Sequence, residues 1–128
     1  MRNRIILGVV VLIAVIGASL WFSGVLSPDT IEPTPEDIRR AASLRPQAPD
    51  IAAIYDRACV ACHSVVDAKA PLTGHAAAWR ARLNERGLDG LLASIHNGFG
   101  NMPPMGLCLN CTDEDFTRLI AFMSATEN

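Results

Sequence analysis

Apolar residues are unevenly spread along the chain, and their spacing divides it into three parts. From Ile5 to Phe22, and after Ser23 and Gly24 on to Leu26, the chain runs apolar without a charge. A helix needs about 20 such residues to span a bilayer, whereas the apolar region of a cleaved signal peptide has only about 7–15. The run also lacks a cleavage pattern: Ala18 and Ser19 lie inside it, and Ile16 stands where a small side chain is needed. The pattern predicts an uncleaved N-terminal transmembrane anchor over residues 1–26. Arg2 and Arg4 ahead of it put the N-terminus in the cytoplasm and everything after Leu26 outside. Trp21 and Phe22 suit the far membrane interface.

Residues 27–49 then lose almost all large apolar side chains and hold five of the eight prolines. This composition reads as a semi-extended linker, whose roughly 23 residues at about 3.1 Å each reach roughly 70 Å. Within it, Thr34-Pro35-Glu36-Asp37 has the cap residue, first-turn proline and early acids of a helix start, predicting a short helix through about Leu44.

From Asp50 to Asn128 the apolar positions recur at helical spacing. Asp50 is placed to cap a helix whose face is Ile51, Ile54, Tyr55 and Ala58. A second helix is predicted from His75 to Arg86, with Trp79 and Leu83 inward, ending at Gly87. A third runs from about Leu88 to His96, with Leu91, Leu92 and Ile95 inward, ending at Asn97-Gly98. The fourth starts at Thr112, with Asp115 as its capping-box partner, and turns Phe116, Leu119, Ile120 and Met123 inward. No segment alternates with period two, so no strand is predicted and the fold class is all-α. Four short helices make a small core for an independent fold, which a covalently held apolar group would complete.

Composition narrows this picture in two ways. Aromatic residues are only 5% of the chain, thin for a self-sufficient core. The net charge of −2 leaves no basic footprint for nucleic acid. From Asp50 onward, six Lys/Arg stand against nine Asp/Glu, a formal −3.

The candidate chemistry lies in two stretches. Cys59-Val60-Ala61-Cys62-His63 has the spacing at which two thiols each add across one vinyl group of a haem, with the next residue under the iron. Alone, a CxxC pair also reads as half a zinc site or a redox disulfide. The second stretch, Asn97-Gly98-Phe99-Gly100-Asn101-Met102-Pro103-Pro104-Met105-Gly106, predicts a rigid non-helical strap presenting a thioether sulfur. A methionine in such a strap, downstream of CxxCH, reads as an iron ligand rather than core. Histidine plus methionine saturates the iron, raises its potential and suits electron transfer. Both Met102 and Met105 lie in the strap; Met102, directly before Pro103-Pro104, is the better placed. Cys108 and Cys111 lack a following histidine, so they are not a second haem site; with the first pair they form the alternative of a four-cysteine zinc site. His75 and His96, each near a helix end, read as solvated or haem-propionate-side residues, and Phe99 and Phe116 as haem-facing core.

CVACH at 59–63, Ala70-Pro71, Trp79 with Arg82, NGFGNMPPMG at 97–106 and Cys108-Leu109-Asn110-Cys111 together resemble the class I c-type cytochromes, and specifically the cytochrome c5 family. The resemblance covers nearly all of residues 50–128 and none of the anchor or linker. It implies a small class I cytochrome c fold around one covalently bound haem c. In that likeness Cys59 and Cys62 hold the haem, and His63 and Met102 are its axial ligands. The Pro71 carbonyl accepts the His63 ring N–H, Trp79 bonds a haem propionate, and Cys108 pairs with Cys111. His75 departs from the family, which often has an acidic residue there.

These readings imply a monohaem electron carrier, not an enzyme, held by a single-pass helix in a bacterial inner membrane with its haem domain in the periplasm. Its partners would be membrane respiratory complexes, with a quinol-oxidising complex or dehydrogenase as donor and an oxidase or reductase as acceptor. The lipid bilayer is engaged through the N-terminal helix. The alternative is a dedicated haem subunit of a larger oxidoreductase, or a haem-based gas sensor, which would need a vacant or weak axial position.

Overall fold

A computed structural model describes residues 31–125. The apolar run read as an anchor lies outside them, and among the described residues no helix is long and apolar enough to cross a membrane. Everything described is helix, turn or loop, apart from one isolated bridge between Phe99 and Met102.

Helix α1 spans Pro35–Ser43. Asp37 donates its backbone N–H to the Thr34 hydroxyl, and the Thr34 N–H returns to the Asp37 carboxylate, closing the capping box. This is the short helix predicted within the linker, and it packs against the rest of the described residues instead of standing free. Ala41 and Leu44 are buried, and Arg40 donates to the Gly74 carbonyl at 3.3 Å. Two apolar side chains and one cationic donor in a single amphipathic turn suffice to hold the segment down, which a count of prolines does not register.

Helix α2, Pro49–Ile54, opens after Ala48 without a side-chain cap. Asp50 therefore lies inside the first turn rather than at the cap, and pairs with Arg118 instead, at 2.6 Å. The chain passes through a π-turn at Tyr55–Cys59 into α3, Val60–His63. Such turns shift the helical register by one residue. Here the turn lies between the buried face of Ile51, Ile54 and Tyr55 and the two cysteines that follow.

The stretch α4, Ala76–Asn97, holds the two predicted helices, which meet at Gly87 as expected. Its helical geometry breaks at Gly87 (φ 66°, ψ 179°), so the glycine bends the path without separating the halves by a loop. The final helix α5, Asp113–Ser124, has the predicted Thr112–Asp115 capping box and buries Phe116, Leu119, Ile120 and Met123. These pack with Ile51, Ile54, Tyr55, Trp79, Leu91 and Ile95 into one core. Each such side chain contributes roughly 1.5–3 kcal/mol on leaving water.

Candidate haem site

The core is hollow on one side. A cavity of about 660 Å³ opens between α3, α4, α5 and the strap, lined by Cys59, Cys62, His63, Trp79, Arg82, Arg86, Phe99, Met102 and the inward faces of Leu91, Ile95, Phe116, Leu119 and Ile120. Its size falls in the range of roughly 300–1,000 Å³ typical of ligand and cofactor pockets.

His63 is buried and its ring is fixed from two directions. Nδ1 lies 2.8 Å from the Pro71 carbonyl. A carbonyl only accepts, so Nδ1 carries the proton and Nε2 keeps its lone pair for a metal. The Trp79 indole stacks on the imidazole at 5.7 Å between centroids. Burial holds the imidazole below its ordinary pKa; the Pro71 bond works against this and the Arg82 charge adds to it. The ring is therefore neutral at physiological pH, the form that ligates.

The segment behind His63 is densely bonded. Thr73 donates its N–H to the His63 carbonyl at 2.8 Å, and its hydroxyl shares a 2.9 Å hydrogen bond with the buried Tyr55 phenol. Gly74 donates to the Met123 carbonyl. The Leu72 carbonyl receives both the His75 N–H and the Trp79 indole N–H, the latter at 2.8 Å. Where a propionate partner was read for Trp79, the indole N–H here bonds the Leu72 carbonyl and the ring faces His63. His75 is buried but does not line the cavity. It lies instead near Asp37 of α1. Burial alone would raise that carboxyl, but hydrogen bonds from Thr34, with His75 and Arg40 nearby, bring it below its usual value. His96 faces away too, bonding Asp113 at 2.7 Å.

The two thiols sit at the cavity rim, Cys59 half-buried and Cys62 exposed, neither paired. Burial pushes the Cys59 thiol up to about 11 against the pull of Arg57.

On the opposite wall the strap turns tightly. Phe99 and Met102 exchange backbone hydrogen bonds of 3.0 and 2.9 Å around Gly100-Asn101. Gly98 has φ +79°, and a Cβ there would lie 2.9 Å from the Met102 carbonyl oxygen and 3.1 Å from the Pro104 nitrogen. Met102 lines the cavity, its methyl resting against Gly106, where a Cβ would meet it at 3.1 Å. Met105, at φ 58°, does not line the cavity and packs against the core cluster instead. Phe116 is buried in the wall as read, whereas Phe99 is 56% exposed at the rim. Beyond the strap Cys108 and Cys111 form a disulfide with Cα atoms 5.4 Å apart, which removes them from any four-cysteine zinc site. Arg57 donates to Cys108 Sγ at 3.3 Å, a contact that the sequence pattern does not disclose.

Two thiols at this spacing, a neutral buried imidazole, a facing thioether and an apolar cavity fit a haem in size and donor chemistry. The family described as cytochrome c oxidase, cbb3-type, subunit III matches residues 46–123. The chain belongs to the cytochrome c family. Among its relatives, cytochrome c5 of Azotobacter vinelandii is 42% identical over 76 residues, 59% of this chain and 88% of the relative. Cytochrome c5 of Ectopseudomonas mendocina is 40% identical over 72 residues, 56% and 83% of the two chains. The cofactor of such a cytochrome is covalently attached haem c, and its role is electron transfer rather than enzymatic turnover. Helix α1 precedes the matched stretch.

Proposed function

We propose that this cytochrome is a membrane-tethered monohaem carrier in which Cys59 and Cys62 bind the haem covalently and His63 and Met102 ligate its iron. The observation that carries this reading is one apolar cavity joining both thiols, an imidazole with Nε2 unengaged, and Met102 but not Met105. When bound, haem supplies a one-electron couple at iron. The chain's own contribution is to hold the imidazole by the Pro71 carbonyl, to present the thioether from a short rigid turn, and to exclude water with α4 and α5. With both axial positions taken, no site remains for a gas ligand, which argues against a sensor.

The haem domain sits on the periplasmic face, anchored by the uncharged run that ends at Leu26. With α1 folded onto the domain, the spacer shrinks to residues 27–33, which reach only roughly 20 Å when extended. Such a carrier serves membrane complexes close to its own anchor, taking electrons from a quinol-oxidising complex or dehydrogenase and passing them to an oxidase or reductase. The match to an oxidase-subunit family favours one second reading, a haem subunit held permanently in a larger complex.

The test is to express the full chain with haem maturation, fractionate the cells and record oxidised and reduced spectra with and without carbon monoxide. The expected outcome is a membrane-bound, low-spin c-type spectrum insensitive to carbon monoxide. A carbon monoxide-sensitive spectrum would overturn the His63/Met102 pairing, and a soluble haemoprotein would overturn the anchor. Co-purification with an oxidase in fixed stoichiometry would select the second reading.

A further inference from the structure

Arg86 ends the first half of α4, directly before the break at Gly87. Gly90 leaves room for it, since a Cβ there would lie 2.7 Å from Arg86 Cβ. The Arg86 side chain runs along the second half of the helix. Nη1 donates to Ser94 Oγ at 3.0 Å, and the Ser94 hydroxyl donates to the Gly90 carbonyl at 2.7 Å. This aims the guanidinium at the strap, where its carbon lies 3.8 Å from the centroid of the Phe99 ring. Glu85 is a weak competitor, exposed and 3.8 Å from Arg86 Nε.

Phe99 is more than half exposed, so burial does not fix its ring. Its backbone is locked to Met102 by the reciprocal hydrogen bonds around Gly100-Asn101, and Gly100 has nothing within 4 Å of where a Cβ would be. The turn is thus open on its outer side and held at one end by the Arg86–Phe99 contact.

We infer that Arg86 is a positioning residue for the Met102 thioether, acting through the Phe99 ring and the Phe99–Met102 backbone pair. The inference rests on Met102 being the distal ligand. Pinning Phe99 restrains the turn that carries Met102 and lowers the population of states in which the sulfur has swung away.

Exogenous imidazole reads that population directly, because it binds ferric iron only where methionine has left. Titrations on the haem-loaded full chain should include Met102→Ala as the reference for a permanently open position. Arg86→Leu is expected to raise the apparent imidazole affinity about three-fold, in line with an exposed cation–π contact. Phe99→Leu should do the same and the double variant no more than either, while Arg86→Lys, which keeps a cation, should recover part of the loss. An unchanged affinity in Arg86→Leu, or additive effects in the double variant, would overturn the inference even if the melting temperature falls. Failure of Met102→Ala to raise imidazole affinity would instead overturn the ligand assignment on which it rests.

Discussion

Behind His63, residues 72–75 all spend backbone groups on hydrogen bonds, to the His63 and Met123 carbonyls and among themselves, and Thr73 is fully buried. Around Met102, the strap holds its shape by backbone geometry instead: Gly98, Gly100, Met105, Gly106 and Leu107 all have positive φ, and Leu107 is 70% exposed. The first wall is held by many mutually supporting bonds in a dry interior, where each loss leaves a partner unsatisfied. The second is held by stiff prolines, tight turns and one disulfide, with water on its outer side. A ligand on the first wall is hard to displace, and one on the second is the natural point for tuning. Helix α1 reinforces the contrast, since Arg40 bonds Gly74 and both Arg40 and Leu44 pack against it on the histidine side.

The largest effect is expected from removing Met102, the ligand proposed for the strap. Met102→Ala should abolish the iron–thioether absorption band and open the iron to carbon monoxide. It should also lower the reduction potential on the order of 0.1 V or more, within the roughly 0.8 V that axial ligands control. Met105→Ala, whose side chain packs against the core, should do none of these; spectra and redox titrations of both variants decide.

Gly98→Ala against Gly74→Ala comes next. Both glycines have φ +79°, so both substitutions meet backbone strain, about 1–3 kcal/mol. At Gly98 the new Cβ strikes backbone atoms of Met102 and Pro104, which cannot yield without moving the strap. At Gly74 it meets the ends of the Leu44 and Arg40 side chains, which can rotate away. Gly98→Ala should therefore lose the thioether band while Gly74→Ala keeps it, with chemical denaturation giving the larger loss for Gly98.

Replacing Cys108 and Cys111 by serine should leave haem covalently attached and cost at most about 2 kcal/mol, because the closed loop is short. Loss of covalent haem in that variant would mean the cysteines serve the haem, not the strap.

The smallest effect belongs to a pair that serves neither wall. Hydrogen bonding from Arg118 lowers the Asp50 carboxyl below its ordinary value, so the pair contributes above pH about 3.9 and is lost as pH falls through the lowered folded value. Asp50→Asn should flatten the acid limb of stability slightly and leave the spectrum unchanged at every pH.

The candidate attachment site was legible in the chain as a spacing pattern, because Cys59, Cys62 and His63 are near neighbours, and the fold sets all three on one cavity. So was the last helix, whose cap and buried face are both local patterns. What the chain alone could not decide depends on contacts between distant residues. Trp79 had one N–H and several possible acceptors; only the packed fold brings the Leu72 carbonyl to it. The cap and early acids at 34–37 marked the short helix in the chain, but the burial of Ala41 and Leu44, with Leu44 beside Gly74, is a tertiary contact that no local pattern shows. Met102 was marked in the chain by its place before Pro103-Pro104 and lies on the cavity wall, whereas the packing of Met105 against the core, at positive φ, is a tertiary outcome. Spacing along the chain fixes covalent chemistry, whereas a side chain's partner is fixed by whichever donor, acceptor or surface the tertiary fold delivers to it.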